Sequence, residues 1–338
     1  MFAILLSILS LGGAVSAHAD WNIVWSDEFN GTSLNTNTWF YDQGNCDGWG
    51  FNEFEYYTPQ NVVVSNGMLR ILALDDPTNG VPFTSGRINS SGTDQCTTPD
   101  QTPVEPDSYA VLYGLIEFRV KLPVGTGLWP QIWLFPQNTP YGDWPLCGEI
   151  DVLENFNSQT NSTLQGAIHY YGGSQFSQTY VQDITQWHTY GIYWTTNSIS
   201  WIVDGVTNAT ATDWNPPPGF SSPAPFNIPF FFILDLAMGG GPTGSPTAEQ
   251  MVPYLPAEMD VDYIRVYQQT APLAISTVLT NSNIMLTWPT NIVCHLQTLS
   301  DPDGLGDPGE WVDIDGATNS PYIVSPTEDN AFFRLESP

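Results

Sequence analysis

Apolar and polar positions alternate with a period of two along much of the chain. In IEFRVKL (116–122), Ile116, Phe118, Val120 and Leu122 share one face while Glu117, Arg119 and Lys121 share the other. That is the signature of a strand buried on one side. VVVSNGMLRILAL (62–74), ISWIVDG (199–205) and FFFILDLAM (230–238) read as further strands between turn residues. Asn66-Gly67 predicts a tight hairpin turn, because both residues readily adopt positive φ. No long segment keeps a helical period and no long repeat recurs, so the pattern predicts an all-β, two-sheet sandwich. After about residue 269 the runs become shorter. Residues 20–269 are therefore expected to form one large domain, and 270–338 a small C-terminal β-sandwich-like domain. The acidic loop DPDGLGDPGE (301–310) reads as a solvated turn, with calcium binding as the alternative.

Composition sharpens this picture. The 338 residues carry 35 Asp+Glu against 6 Lys+Arg, a formal net charge of −29. Six cations cannot neutralise a nucleic-acid backbone, and adsorption to an anionic membrane is disfavoured on the same ground. With Trp 13, Tyr 15 and Phe 17, the chain suits an uncharged, sugar-like ligand. Residues 2–16 form a short apolar run, followed by Ala17-His18-Ala19. A signal peptide over 1–19 is expected, and hence a secreted protein, with a buried N-terminal helix as the alternative. Export permits disulfides among Cys46, Cys96, Cys147 and Cys294, for which three complete pairings are open. Cys46 and Cys96, both in loops, are the first pair to expect, and Cys294 reads as a buried thiol.

The chemistry concentrates in GEIDVLE (148–154). Strand alternation puts Glu149 and Asp151 on one face but would send Glu154 into the core. A buried, unpaired carboxylate is costly, and one extra residue, a β-bulge, returns Glu154 to the acidic face. Two carboxyls about 5–5.5 Å apart suit a retaining glycosidase, in which one attacks the anomeric carbon and the other protonates the leaving oxygen. An acid between them can separate their protonation states. A solvated acidic edge or a calcium site is the competing reading.

At these residues the sequence resembles glycoside hydrolase family 16, and within it the laminarinase-like β-1,3-glucanases. WSDEFNG (25–31), GFNEFEYYT (50–58), TSGRI (84–88), YGLIEFRVKLP (113–123), GLWPQIWLFP (127–136), WPLCGEIDVLE (144–154), WHTYGIYW (187–194), ILDLAMGGG (233–241) and MDVDYIRVY (259–267) occur in the family's order. The resemblance implies a β-jelly roll with a substrate cleft on its concave sheet. It makes Glu149 the nucleophile, Glu154 the general acid/base and Asp151 the support of the nucleophile. It implies a substrate-binding set of Asn52, Arg87, Trp129, Trp133, Trp144 and His169, with His188 structural. For each Trp, core packing is an equal alternative, whereas an indole in the cleft would stack on a sugar face. No catalytic cofactor is implied. A structural calcium is, with Glu28, the Gly67 carbonyl and Asp262 at the matching positions, and surface hydrogen bonding is the alternative for each of them.

The sequence departs from the family where Phe51 replaces a frequent Asn, Gln131 a small residue and Asp235 a common Asn. Neutral polysaccharide is the expected partner of a monomer. The bulged E-I-D-x-x-E pattern disfavours mixed-linkage glucanases and transglycosylases, whose strand is E-I-D-x-E, and WPLCGEID together with TSGRI favours β-1,3-glucan over red-algal galactans. A non-catalytic carbohydrate-binding protein and a surface adhesin using residues 272–338 are the readings from other classes.

Overall fold

The computed structural model describes residues 21–92, 95–96, 108–269, 275–280, 283–288, 295–300, 312–314, 321–324 and 331–336. The expected signal peptide, the 301–310 loop and Cys294 lie outside the described residues. The chain divides into two compact units, Ile23–Gln268 and a second comprising Met1–Asn22 with Gln269–Pro338.

Two eight-stranded sheets and a two-stranded parallel pair, Glu55–Tyr57 with Phe83–Ser85, make up the larger unit. The alternation in residues 116–122 becomes the strand Gly114–Lys121, whose Ile116, Phe118 and Val120 are buried. It pairs with His188–Trp194 and Ala257–Gln269 in the outer sheet. The hairpin Val62–Ser65/Met68–Ala73 turns through Asn66 and Gly67 at φ 56° and 72°, as the pair of residues predicts. The cleft sheet runs in space from an edge strand (Gly173–Val181) through Ser162–Tyr170, the acidic strand (Glu149–Glu154) and the tryptophan strand (Leu128–Pro136). It continues through Phe230–Met238 and Arg87–Asn89 to Phe40–Tyr41. Phe230–Met238 is buried at every position, as a strand covered on both faces must be. Between the sheets, Phe118, Tyr190, Trp194, Phe230 and Phe232 are fully buried.

In the smaller unit, Ser276–Thr280, Asn283–Thr287 and Tyr322–Val324 form one three-stranded sheet. Val312–Asp313, His295–Ser300 and Ala331–Glu336 form another. Leu286, Trp288 and Leu296 are buried there. Cys46 and Cys96 are joined in a disulfide with Cα atoms 5.5 Å apart, and Cys147 is a buried free thiol.

Candidate active site

The acidic strand slips register once. Asp151 lies opposite Trp133 and Leu153 opposite Ile132, leaving Val152 as the extra residue. On the other side Asp151 faces Ala167 and Glu154 faces Gln165. Gln131 and Trp133 share a face, as do Gln165 and Ala167, so Glu154 joins Glu149 and Asp151 on the cleft side. The slip has a support from the opposite sheet: Trp201, in Ile199–Val203, donates its indole N–H to the Asp151 carbonyl at 2.8 Å. Gly166 makes room for this contact, since a Cβ there would overlap the Trp201 indole.

Asp151 and Glu154 are buried and Glu149 is half-buried. Burial pushes the Glu149 carboxyl well above the usual carboxylate range, and the neighbouring Asp151 adds to the shift. Burial does the same to Asp151, reinforced by Glu154. Glu154 is raised by burial, while the Gln165 amide, donating to its Oε2 at 3.3 Å, favours the ionised form. His169 Nε2 lies 3.1 Å from Asp151 Oδ2 and 3.8 Å from Glu149 Oε1, and its Nδ1 is 2.7 Å from Ser174 Oγ. Such a strip holds its protons more tightly than free carboxyls do, and in a crowded set of acids one carboxyl can act as acid while another attacks. Glu149, Asp151 and His169 also have metal-ligand spacing, all within 4.8 Å of one another.

The remaining sequence candidates fall into distinct places. Trp133 is half-buried beside the acids, its N–H donated to Asp235 Oδ1 at 2.9 Å. Trp129 is buried against Phe51 and Phe156, with ring centroids 5.6 and 5.2 Å away. Strand alternation puts Trp129 on the face of Gln131, which lies opposite Glu154. Trp144 is exposed and packs on His169 at 5.8 Å. Asn52 is exposed, at φ 59°, next to Phe51.

Arg87 departs from its expected part as a hydroxyl donor. It is buried, with Nε 3.1 Å from Asp42 and Nη1 3.4 Å from Asp235, and its guanidinium lies between the rings of Trp49 and Trp133. Two of its donors, Nε and Nη1, face buried carboxylates, and its guanidinium packs on the Trp133 ring. His188 bonds Asp204 at 2.7 Å, in keeping with a structural part.

The calcium set does not fit a cation. Glu28 is forked onto Arg265, with both contacts at 2.8 Å, and Asp262 is paired with Arg119. Gly67 occupies the hairpin turn. A calcium there would have to displace two guanidinium groups from the carboxylates it needs.

Gln165, Trp201, Asp42 and Trp49 were not singled out from sequence. Gln165 was within reach, since it sits two alternations before His169 on the same strand face. No local signal marks Trp201, whose contact is 50 residues away in the chain.

The profile of glycosyl hydrolases family 16 matches residues 55–251. The chain belongs to this family. As a family 16 glycoside hydrolase it is 36% identical, over 75% of its length, to the glucan endo-1,3-beta-glucosidase A1 of Niallia circulans, of which it spans 39%. It is 33% identical to the beta-glucanase of Rhodothermus marinus, over 79% of this chain and 93% of that one. Among solved structures, the laminarinase from Rhodothermus marinus superposes with a TM-score of 0.63 at 31% identity, covering 75% of this chain and 99% of the other. The fold is the jelly-roll sandwich of these enzymes.

Proposed function

We propose that the protein is a secreted, endo-acting, retaining β-1,3-glucanase, with Glu149 as nucleophile, Glu154 as general acid/base and Asp151 as the group that shares a proton with Glu149. The observation that carries this reading is the one-residue slip at Val152, which places Glu154 on the face of Glu149 and Asp151. The Glu149 carboxylate attacks the anomeric carbon as Glu154 delivers its proton to the departing oxygen, leaving a glycosyl ester on Glu149. Glu154, now ionised, takes a proton from water, which attacks the same carbon and frees Glu149 with net retention. The chemistry needs no cofactor. Trp133 offers a sugar platform, Trp144 packs on His169 beside the acids, and Asn52 is exposed next to Phe51, which packs on Trp129.

Support for a β-1,3-glucan substrate comes from the relatives named above, and support for secretion from residues 1–19. Among the described residues no helix is long and apolar enough to cross a membrane. Product analysis on laminarin, mixed-linkage glucan, agarose and carrageenan in parallel tests the substrate. NMR of the first-formed product tests the mechanism: a β product is expected from laminarin, and an α product overturns the assignment.

A further inference from the structure

The cleft sheet ends in Gly173–Val181, and this edge strand carries side chains that no part of the chemistry above uses. Ser174 meets His169 on the cleft face. Strand alternation therefore places Phe176, Gln178 and Tyr180 on that face too, whereas Ser177 and Val181 point inward and are buried. Phe176 and Tyr180 are 56% and 65% exposed, unusual for large aromatic side chains with a core available beneath them. The register aligns Phe176 with Ala167 and, across it, Asp151; Gln178 aligns with Gln165 and Glu154. Phe176 thus stands two strands from the acids, about 10 Å at ordinary strand spacing. It meets His169 edge-on at 6.0 Å, and exposed Trp144 meets His169 at 5.8 Å. The result is an open aromatic strip, Trp144–His169–Phe176, continuous with the acidic strip.

The two flanks of the acids differ in the side chains that floor them. On the other flank Trp129 and Arg87 are buried and Trp133 is half-buried, with the exposed Phe51 packed on Trp129. In a double displacement, one half of the substrate stays bound to the nucleophile while the other departs and water takes its place. The departing half needs the flank that solvent can reach. We propose that Phe176, with Gln178 beside it, forms a binding site for the leaving-group sugars of the glucan, one sugar beyond the unit next to the scissile bond. The exposed ring stacks on the apolar face of a pyranose, and the Gln178 amide meets its hydroxyls. The occupant is the same neutral chain that crosses the acids, so the site rests on the β-1,3-glucanase reading.

Phe176→Ala is compared with the wild type on soluble β-1,3-glucan and on an activated aryl β-glycoside of a β-1,3-linked glucose disaccharide, whose aglycone ends short of the edge strand. The expected result is a roughly tenfold fall in kcat/KM on the polysaccharide, in the range of one aromatic stacking contact, with the aryl glycoside unaffected. Phe176→Trp should restore the polysaccharide rate. Transfer of the glycosyl unit to an added β-1,3-glucose oligosaccharide should fall relative to hydrolysis. Tyr180→Ala, an equally exposed aromatic off the acid row, should match the wild type. Wild-type-like cleavage of polysaccharide by Phe176→Ala overturns the inference, as does an equal loss on both substrates or an equal loss in Tyr180→Ala. A wild type inactive on both substrates would instead sink the glucanase reading, and this inference with it.

Discussion

The bond from Trp201 to the Asp151 carbonyl makes a testable claim about catalysis from the far sheet. In Trp201→Phe the ring is smaller and the donor is gone. A buried carbonyl without its partner costs about 1–3 kcal/mol. The space left by the smaller ring adds roughly 1–2 kcal/mol, a fraction of the cost of full Trp truncation. At ~2–4 °C per kcal/mol for a unit of this size, Tm should fall by about 4–20 °C. That alone would describe any core mutation. The further expectation is a fall in kcat of ~10–100-fold at temperatures where the variant is fully folded, because the slip that presents Glu154 loses its brace and small misplacements of reacting groups are costly. Ile264→Ala is the control: it lies in the same outer sheet, is fully buried and should lose ~2–5 kcal/mol without touching the acids. Gly166→Ala should reproduce the Trp201 phenotype by expelling the indole. Melting curves by circular dichroism and initial rates on laminarin measure both quantities. If Trp201→Phe melts early yet keeps wild-type kcat, the brace is structural only and the reasoning fails.

Glu149→Gln and Glu154→Gln should each lower kcat by several orders of magnitude with the fold intact by circular dichroism. Azide should restore turnover of an activated aryl glycoside in Glu154→Ala, giving a β-glycosyl azide; rescue of Glu149→Ala instead would reverse the two roles. The folded-state values of Glu149, Asp151 and Glu154 lie above the ~4 of free carboxyls. Their contribution to stability is thus full below pH ~4 and lost as pH rises through the raised values. Glu149→Gln should accordingly raise Tm more at pH 7 than at pH 4, and calorimetry at the two pH values decides it. Asp235 adds to the upward shift of Glu154 by charge repulsion. Asp235→Asn should move the basic limb of the kcat/KM profile to lower pH, and an unmoved limb would show that Arg87 already cancels that charge. A chain ending near Gln269 should remain folded and active on soluble glucan, as measured by circular dichroism and reducing-sugar release.

What sequence could reveal followed the reach of its signals. Strand alternation is a local property, so the faces of 116–122 and the Asn66-Gly67 turn were legible without any partner. The slip at Val152 was legible for a different reason: three acids in one strand could share a face only through an extra residue. The surroundings of Arg87 are not legible locally, because they are assembled from afar. Asp42 is 45 residues earlier and Asp235 148 residues later, and together they turn an apparent sugar-binding group into a buried brace. Glu28 and Asp262 went the same way, since their guanidinium partners come from strands whose register no local pattern encodes. Phe176 carries no mark in the sequence, because an exposed aromatic and a core aromatic look alike until the face of the strand is known.

The larger unit contains five of the chain's six basic side chains, and each has a neighbour that occupies it. Arg70 lies on Glu258, Arg87 between two aspartates, Arg119 on Asp262, Arg265 on Glu28, and Lys121 over the Trp187 ring at 4.7 Å. The field reaching into solvent is therefore almost wholly that of the surplus acids. In a hydrated matrix that mixes neutral glucan with carboxylated or sulfated polymers, such a surface finds no counter-charge on which to stick. Like-charged strands repel it over roughly a Debye length, ~8 Å at physiological salt, and leave the uncharged strands as its only adhesive contacts. The enzyme's mobility through the gel should then be governed by ionic strength, while its residence on a glucan strand is governed by stacking.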